Sequence, residues 1–324
     1  MTSSGGSLDS PAPTPLNPEA PVIDRVSPEM MRPALSMLLS GRADANDPAV
    51  ENFLGFAAEQ SLGLDAIWAA RQKGRIVASA MMVLCAGRTG LIFLSPNITP
   101  ATVPLAGALA SALCRDQDPR RVRLVQALLD PGQEQVGKAL DAAGFQRLAV
   151  LIYMQHRALR TPAPLDPGPE VQLRSYTPEA RPDFARAILA TYQQTLDCPG
   201  LLGLRHIDDI LDGHMATGKF IPELWLLLES QGAPVGVMLL NLVPQRAALE
   251  LVYLGLSPAW RGRGLARRLL QHGLGLASRH AATQMILAVD DHNTPALHMY
   301  AALQFVPTAR KAALIRPMPA ETPA

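Results

Sequence analysis

The chain has 324 residues, of which 48% are hydrophobic, and its 29 lysines and arginines nearly balance 28 aspartates and glutamates. The length predicts two domains of about 150 residues, and the apolar content excludes a disordered or fibrous protein. A net charge of +1 excludes a general attraction to nucleic acid or to an anionic membrane, so any site for a polyanion must be local.

Residues 1–20 are rich in serine, proline and glycine and lack the charged and apolar regions of a secretory signal, which predicts a disordered tail. The longest apolar runs, such as residues 76–87, are too short to cross a bilayer. Three widely spaced cysteines, Cys85, Cys114 and Cys198, form neither a disulfide framework nor a zinc-ligand cluster. We therefore predict a cytoplasmic protein with no metal site and no membrane or nucleic-acid partner.

Residues 21–158 predict a first domain that begins with helix and continues as a meander of three strands. An apolar strand starts at Trp68, a turn follows at Lys73-Gly74, and residues 75–86 form the second strand. A third strand, residues 91–94, runs into Ser95-Pro96. A helix, a strand and a second helix then lead to the sequence DAAGF, which ends at Phe145, and to a final strand.

Residues 159–169 are predicted to be a linker, because five of the eleven residues in RTPAPLDPGPE are proline or glycine. Residues 170–318 repeat the plan of the first domain. A strand starts at Trp225, Gln231-Gly232 form the turn, and residues 235–243 and 249–256 form the next strands. The last of these runs into Ser257-Pro258, and AALQF ends at Phe305.

Phe145 lies 50 residues after Ser95, and Phe305 lies 48 residues after Ser257. The two halves therefore share the spacing of their elements as well as the order. We predict an α/β (α+β) protein of two tandem domains, each a mixed, mostly antiparallel central sheet flanked by helices. The alternative is a chance likeness between two unrelated α/β domains.

The halves differ most after the Ser-Pro pair, where the first continues NITPATVPLAG and the second continues AWRGRGLARRLL. Glycines let a backbone approach a ligand, a helix N-terminus has unpaired N–H groups, and arginines add positive charge, which together suit a phosphate or diphosphate. The dinucleotide fingerprint is excluded because Arg267 stands where its third glycine would be, and no G-K-[ST] follows. The alternative is a surface turn that is basic by accident.

This region resembles the central motif of the GNAT acyl-CoA N-acyltransferases, Q/R-x-x-G-x-G/A after a central strand, through Arg261, Gly264 and Ala266. A second motif of that family, N-x-x-A-x-x-L-Y-x-x-x-G-F, is matched with Met in place of Leu and Gln304 in place of Gly. The matching residues are Asn293, Ala296, Met299, Tyr300 and Phe305. The two-domain arrangement is similar to tandem members of the family with the architecture of mycothiol synthase.

The resemblance implies acetyl-CoA as the acyl donor. Its pyrophosphate would rest on the backbone N–H groups of Arg261, Gly262, Arg263, Gly264, Leu265 and Ala266. Its pantetheine would pair with the strand edge at Leu254, Gly255 and Leu256, with Asn293 and Tyr300 beside the thioester and the oxyanion donor near Leu256. The first domain lacks these motifs and is predicted to be a degenerate copy.

Transfer to an amine requires an acid for the leaving thiolate and a base for the amine. The resemblance assigns the acid to Tyr300, whose alternative role is packing in the core. Glu250 interrupts the apolar run ALELVYLGL eleven residues before Arg261, and we predict that it is the base. The alternative for Glu250 is an exposed position at the end of a strand. Because no activated nucleophile is evident, direct attack in a ternary complex is expected.

The segment of residues 191–220 precedes the second meander, where this fold builds its acceptor pocket, and Tyr192 and Asp197 are the substrate candidates. Asp208, Asp209 and Asp212 are better explained as the solvated face of a helix. His292 and His298 are weaker candidates, and Cys198 would need a partner base. We therefore expect an N-acetyltransferase acting on an unidentified primary amine, small molecule or peptide N-terminus, with oligomeric state open. The alternatives are a non-catalytic acyl-CoA-binding regulatory module and a purely structural pair of domains.

Overall fold

The computed structural model describes residues 20–157 and 170–319. The predicted tail, apart from Ala20, and the predicted linker lie outside the described residues. The first half comprises β1 (Val22–Arg25), α1 (Met31–Ser40), α2 (Pro48–Glu59), β2 (Ile67–Gln72), β3 (Arg75–Cys85), β4 (Thr89–Leu94), α3 (Val103–Arg115), β5 (Leu124–Leu129), α4 (Glu134–Ala142) and β6 (Gln146–His156). The second half comprises β7 (Gln172–Ser175), α5 (Arg181–Thr191), α6 (Ile207–Met215), β8 (Trp225–Ser230), β9 (Ala233–Val243), β10 (Ala248–Leu256), α7 (Leu265–Arg279), β11 (Gln284–Asp290), α8 (Thr294–Ala302) and β12 (Val306–Pro317).

The meander predicted in each half is present, and both of its tight turns have the expected backbone. Lys73 and Gly74 have φ of 50° and 74°, and Gln231 and Gly232 have φ of 50° and 75°. Two successive residues with positive φ match the twist of the flanking antiparallel strands, which is why a glycine closes each turn.

All twelve strands form one sheet in the order β1-β2-β3-β4-β5-β12-β6-β11-β10-β9-β8-β7. Neighbouring strands are antiparallel except for β4 with β5 and β10 with β11. The predicted fold class, a mixed and mostly antiparallel sheet flanked by helices and built twice, is therefore confirmed.

The two halves exchange their last strands, which the sequence analysis did not anticipate. Strand β6 pairs with β11 of the second half, and β12 pairs with β5 of the first half, while β6 and β12 pair with each other. Strand β6 begins one residue after Phe145, and β12 begins one residue after Phe305. The pairing between the two strands is two-fold symmetric. Val306 lies opposite Gln155, and Gln146 lies opposite Ile315. A bulge follows at the corresponding place in each strand, so the seam has the symmetry of a homodimer.

The exchange also connects the hydrophobic cores. In the second half, α7 and α8 pack on the sheet together with Ile152 and Met154 of β6. In the first half, α3 and α4 pack with Leu314 of β12 and with Met318, which follows it. Helices α1 and α5 lie in separate clusters with their own meanders. Each main core is thus completed by side chains from the opposite half.

Over the ranges described, the helices are all too short or too polar to cross a bilayer.

Candidate functional site

The parallel strands β10 and β11 separate toward their carboxyl ends. They pair only from Ala248 to Leu251 on β10, and a β-bulge follows between Leu251 and Tyr253. Pairing with β9 nevertheless continues to Leu256. The opposite edge of β10, from Val252 onward, therefore has no strand partner within the described ranges and is free to bind an extended ligand. The predicted Leu254, Gly255 and Leu256 lie on this edge, whereas the bulge, a common feature beside active sites, was missed.

The Arg/Gly turn connects this free edge to the N-terminus of α7. Gly262 and Gly264 have φ of 72° and 73°, and no atom lies within 4 Å of an ideal Cβ built on either residue. Gly264 is the N-cap of α7 and has no side chain to bond the first amides of the helix. The first N–H groups of α7 therefore have no capping side chain, as an anion site requires.

The side chain of Arg261 has a different role from the one that its charge indicates. Its guanidinium donates to the carbonyl oxygens of Leu256 at 2.9 Å, Thr191 at 2.8 Å, Gln193 at 2.8 Å and Gln194 at 3.1 Å. These bonds tie the turn to the end of α5. Arg261 therefore braces the site, and its backbone N–H donates to the Pro258 carbonyl at 3.2 Å, so the predicted phosphate contact does not fall on this residue.

The other arginines of the turn leave positive charge at its surface. The guanidinium of Arg263 lies 4.9 Å from the centre of the Trp260 ring, a cation–π contact. Arg267 and Arg268 are exposed on the first turns of α7. Their charges add to the partial positive charge of the helix N-terminus.

The second family motif lies on α8, which packs in the same core as β10 and α7, beside the gap after Leu251 where β10 and β11 stop pairing, which we call the cleft. Tyr300 is 7% exposed, and its ring contacts Phe305 with 5.6 Å between centroids. Burial, and secondarily the charge of Asp197, raise the pKa of Tyr300, so the phenol is protonated. The side chain of Asn293 caps α8 by accepting from Ala296 N at 3.4 Å. The structure thus gives Asn293 a helix-capping bond in addition to its predicted place beside the thioester.

Glu250 lies at the apex of the separated strands. It is opposite Asn241 of β9 and Ile286 of β11, one residue before the last position at which β10 pairs with β11. Its side chain is half-buried rather than exposed, and burial raises its pKa while Arg246 opposes the shift. A carboxylate with a raised pKa is a suitable proton acceptor for an amine near neutral pH.

The loop after α5 brings both substrate candidates to the same cleft. Asp197 accepts a hydrogen bond from Asp290 N at 2.9 Å, and Asp290 accepts one from Cys198 N at 3.0 Å. This reciprocal clamp fixes the loop to the end of β11. Tyr192 contacts Tyr253 edge-on, with 6.0 Å between ring centroids. Burial, and then the charge of Asp290, raise the pKa of Asp197.

Two further residues here, Asp290 and Tyr253, were not found from the sequence, whereas His214 lies in the predicted acceptor segment, residues 191–220. Asp290 is 2% exposed, Tyr253 bonds Thr191 Oγ1 at 2.7 Å, and the ring of His214 stacks on Tyr253 at 5.7 Å. Burial lowers the pKa of His214 to about 4, so its imidazole is neutral. Of the two residues that were missed, only Asp290 had a sequence signal, as a carboxylate directly after the apolar run MILAV.

The remaining candidate residues from the sequence differ in exposure and in protonation. His298 and His292 are exposed, as expected for weak candidates. Burial, followed by the charges of neighbouring carboxylates, raises the pKa of Cys198 to about 12, which disfavours a thiolate nucleophile. Asp208 and Asp212 are solvated and contact Arg181.

Asp209 departs from the expectation of a solvated helix face, and a cluster around Asp290 bears on the predicted lack of a metal. The prediction of a solvated face is wrong for Asp209, which is 8% exposed because Arg88 neutralises it. Asp290, Asp291 and His292 place ligand atoms within 4.8 Å of one another. Asp290 already accepts two backbone N–H bonds, and the predicted lack of a metal stays a prediction.

The first half lacks the corresponding groups. Strand register places Leu91 opposite Gln126, as Glu250 is opposite Ile286. Leu140 corresponds to Tyr300, because it lies as far before Phe145 as Tyr300 lies before Phe305. Strand β4 pairs with β3 without a bulge.

Comparison with known proteins agrees with this geometry. Residues 202–305 match the model of the Acetyltransferase (GNAT) family. The chain is 30% identical over 199 residues to a mycothiol acetyltransferase of Thermobispora bispora, covering 56% of this chain and 66% of that protein. It is 45% identical over 56 residues to the mycothiol acetyltransferase of Corynebacterium glutamicum strain R, covering 17% of this chain and 19% of that protein. The matched parts thus span less than two thirds of these relatives.

A solved structure shares the fold over nearly the whole chain. A GCN5-related N-acetyltransferase from Sphaerobacter thermophilus superposes with a TM-score of 0.59 and 17% identity, covering 92% of this chain and 95% of that one.

Proposed function

We propose that this chain, whose residues 202–305 form a domain of the acetyltransferase (GNAT) family, transfers an acetyl group from acetyl-CoA to a primary amine. The observation that carries the proposal is the edge of β10 that has no strand partner after Leu251, which leads from Glu250 through the Arg/Gly turn to the uncapped N-terminus of α7. The helix N-terminus suits a pyrophosphate, and the strand edge suits the amides of pantetheine.

Binding of acetyl-CoA would use backbone groups more than side chains. The amides from Gly262 to Ala266 would hold the pyrophosphate, because the two glycines leave the approach open, whereas the amide of Arg261 is bonded to Pro258. The edge from Val252 to Leu256 would hold the pantetheine. A backbone N–H at the bulge is a suitable donor for the oxygen that becomes negative as the amine attacks. When bound, acetyl-CoA supplies a thioester carbonyl that is open to attack.

The transfer then needs three proton movements. Glu250 removes the first proton of the acceptor ammonium, directly or through water, and the neutral nitrogen forms a bond to the thioester carbon as the carbon–sulfur bond breaks. Tyr300 gives its proton to the departing sulfur, and the second proton that the nitrogen loses on becoming an amide returns to the Tyr300 oxygen, directly or through water. Direct attack is favoured because Cys198, the thiol of the cleft, is held protonated.

Residues 170–318 are proposed as the catalytic domain, and residues 21–158 as a degenerate domain. The register equivalents of Glu250 and Tyr300 in the first half are leucines, which have no titratable group. A small amine is the favoured acceptor, since the matched relatives are named mycothiol acetyltransferases. The segment with Tyr192 and Asp197 would receive it.

Calorimetric titration of acetyl-CoA into the purified chain tests the proposal, and we expect one site per chain. A panel of primary amines should then give acceptor-dependent release of CoA thiol. Two sites would contradict a degenerate first half. Binding without release by any amine would favour a regulatory acyl-CoA-binding module, and absence of binding would refute both functions.

The substitution Glu250→Gln should lower kcat by about 100-fold, the usual contribution of a general base. The affinity for acetyl-CoA should change little, because the side chain lies at the apex rather than along the phosphate turn. In the parent protein the rate should fall at acid pH as Glu250 takes up a proton, at a pH higher than for an ordinary glutamate because its pKa is raised. The variant should lack that fall.

The matched control is Glu223→Gln, which removes an exposed carboxylate next to β8. An unchanged kcat in Glu250→Gln would exclude this residue as the base.

A further inference from the structure

The acceptor side of the site is built by a segment that leaves its own half. We call residues 192–209 the crossing segment. It starts at the carbonyls braced by Arg261 and passes the clamp at Asp290. At Gly200 it meets β6 of the first half, where an ideal Cβ would lie 3.0 Å from Leu148 Cδ1. It then enters α6, whose Leu211 returns to the core of the second half.

The far end of the crossing segment is held by the turn between β3 and β4. Arg88 donates from Nε to Asp209 Oδ1 at 2.8 Å and from a terminal nitrogen to Asp209 Oδ2 at 2.7 Å. The Asp209 side chain is 12% exposed, and the hydrogen bond and charge of Arg88 lower its pKa. This two-point bond between charged groups fixes both distance and orientation.

The backbones of the two halves also meet at this point. Gly87 has φ of 70°, and a Cβ on it would lie 1.9 Å from the carbonyl oxygen of Asp209. Arg205 donates to that same oxygen at 2.7 Å and to the Gly87 carbonyl at 3.4 Å. Only glycine permits this approach, so the turn is shaped to receive α6.

The position of α6 matters for the acceptor pocket. Its His214 stacks on Tyr253, which follows the bulge of β10 and contacts Tyr192 edge-on. A shift of α6 would therefore move the aromatic wall next to the cleft. It would leave the Arg/Gly turn in place, because α7 packs in a separate core and because Arg261 bonds the start of the crossing segment, at the opposite end from Asp209.

We propose that Arg88 is a positioning residue through which the first half holds α6 and the crossing segment in the geometry that accepts the amine. The proposal rests on the proposed acetyltransferase function. It gives the half that lacks the catalytic groups a defined task, which is to form the outer support of the acceptor pocket. Loss of Arg88 leaves the buried carboxylate of Asp209 without these two hydrogen bonds, which costs free energy. The crossing segment lowers that free energy by moving outward into solvent.

The test compares Arg88→Ala and Arg88→Gln in the full chain. We expect hydrogen exchange of residues 199–215 to rise by roughly 10-fold, because their local opening becomes easier. Exchange in β10 and α7 should stay unchanged, and the affinity for acetyl-CoA should change by less than about 2-fold. With the best amine of the panel, KM for the amine should rise by about 10-fold while kcat stays within about 2-fold.

Two further variants separate positioning from general stability. Arg32→Ala breaks an exposed ion pair with Glu51 inside the first half and should change none of these quantities. The double variant Arg88→Ala/Asp209→Ala should restore part of the lost protection, because no unpaired carboxylate remains.

Unchanged exchange in residues 199–215 would overturn the proposal, as would an equal loss of affinity for acetyl-CoA. Hydrogen exchange needs no acceptor, so it decides the role of Arg88 even if no amine is acetylated. In that case the proposed transferase activity alone would fail.

Discussion

Replacement of Gly264 by valine is expected to lower the affinity for acetyl-CoA by at least about 100-fold, which corresponds to roughly 2.7 kcal/mol. Gly264 has φ of 73°, and the space that a Cβ would occupy at this N-cap of α7 is open. Valine would fill this space, and its branched Cβ would also disfavour the positive φ. Both effects act on the phosphate turn, and calorimetry measures the loss directly.

Gly232→Val is the matched control. Gly232 closes the β8–β9 turn with φ of 75° and likewise has no atom within 4 Å of an ideal Cβ. The control carries a similar backbone strain but lies away from the cleft, so it should lower thermal stability and leave binding intact. If Gly264→Val bound acetyl-CoA like the parent protein, the turn would not be the phosphate site.

Separation of the two halves is expected to destroy the fold of each. A protease site inserted in the predicted linker, residues 159–169, should yield two fragments that remain together in size-exclusion chromatography, because β6 and β12 are embedded in the opposite half. Expressed alone, either fragment should aggregate or unfold.

The energetic reason lies in the exchanged side chains. Ile152 and Met154 fill the second core, and Leu314 and Met318 fill the first. Burial of each is worth about 1.5–3 kcal/mol. The sum is of the same order as the entire stability of a typical domain, about 5–15 kcal/mol. A folded, monomeric second half that binds acetyl-CoA would contradict this prediction, and circular dichroism of the separate fragments would reveal it.

Local features of the fold were predictable because their causes are local. The turns at Gly74 and Gly232 follow from residues that tolerate positive φ, and the meander strands follow from apolar runs between those turns. The exchange of β6 and β12 was not predictable, because both strands have the same pattern and either would fit beside β5 or β11. Which one pairs there depends on the path of the chain between the halves, which the pattern does not encode.

The candidate site likewise contains local features that the sequence predicts and long-range contacts that it does not. The Arg/Gly turn and Tyr300 lie in contiguous motifs, so the sequence located them, and their predicted roles await the experiments above. Arg261 was assigned to the phosphate region, but its side chain braces carbonyls that precede it by about 70 residues. Asp209 was expected to be solvated because its partner, Arg88, is 121 residues away. Roles set by long-range pairing were invisible in a pattern read along the chain.

The symmetry of the seam between β6 and β12 bears on the origin of the chain. A single ancestral half with this seam would have traded its terminal strand with a second copy, and its folding would have depended on protein concentration. Joining the two copies in one polypeptide makes the strand exchange intramolecular, so folding no longer requires the association of two separate chains. Once both copies were inherited together, one could keep the chemistry while the other accumulated leucines at the reactive positions and still supplied a strand.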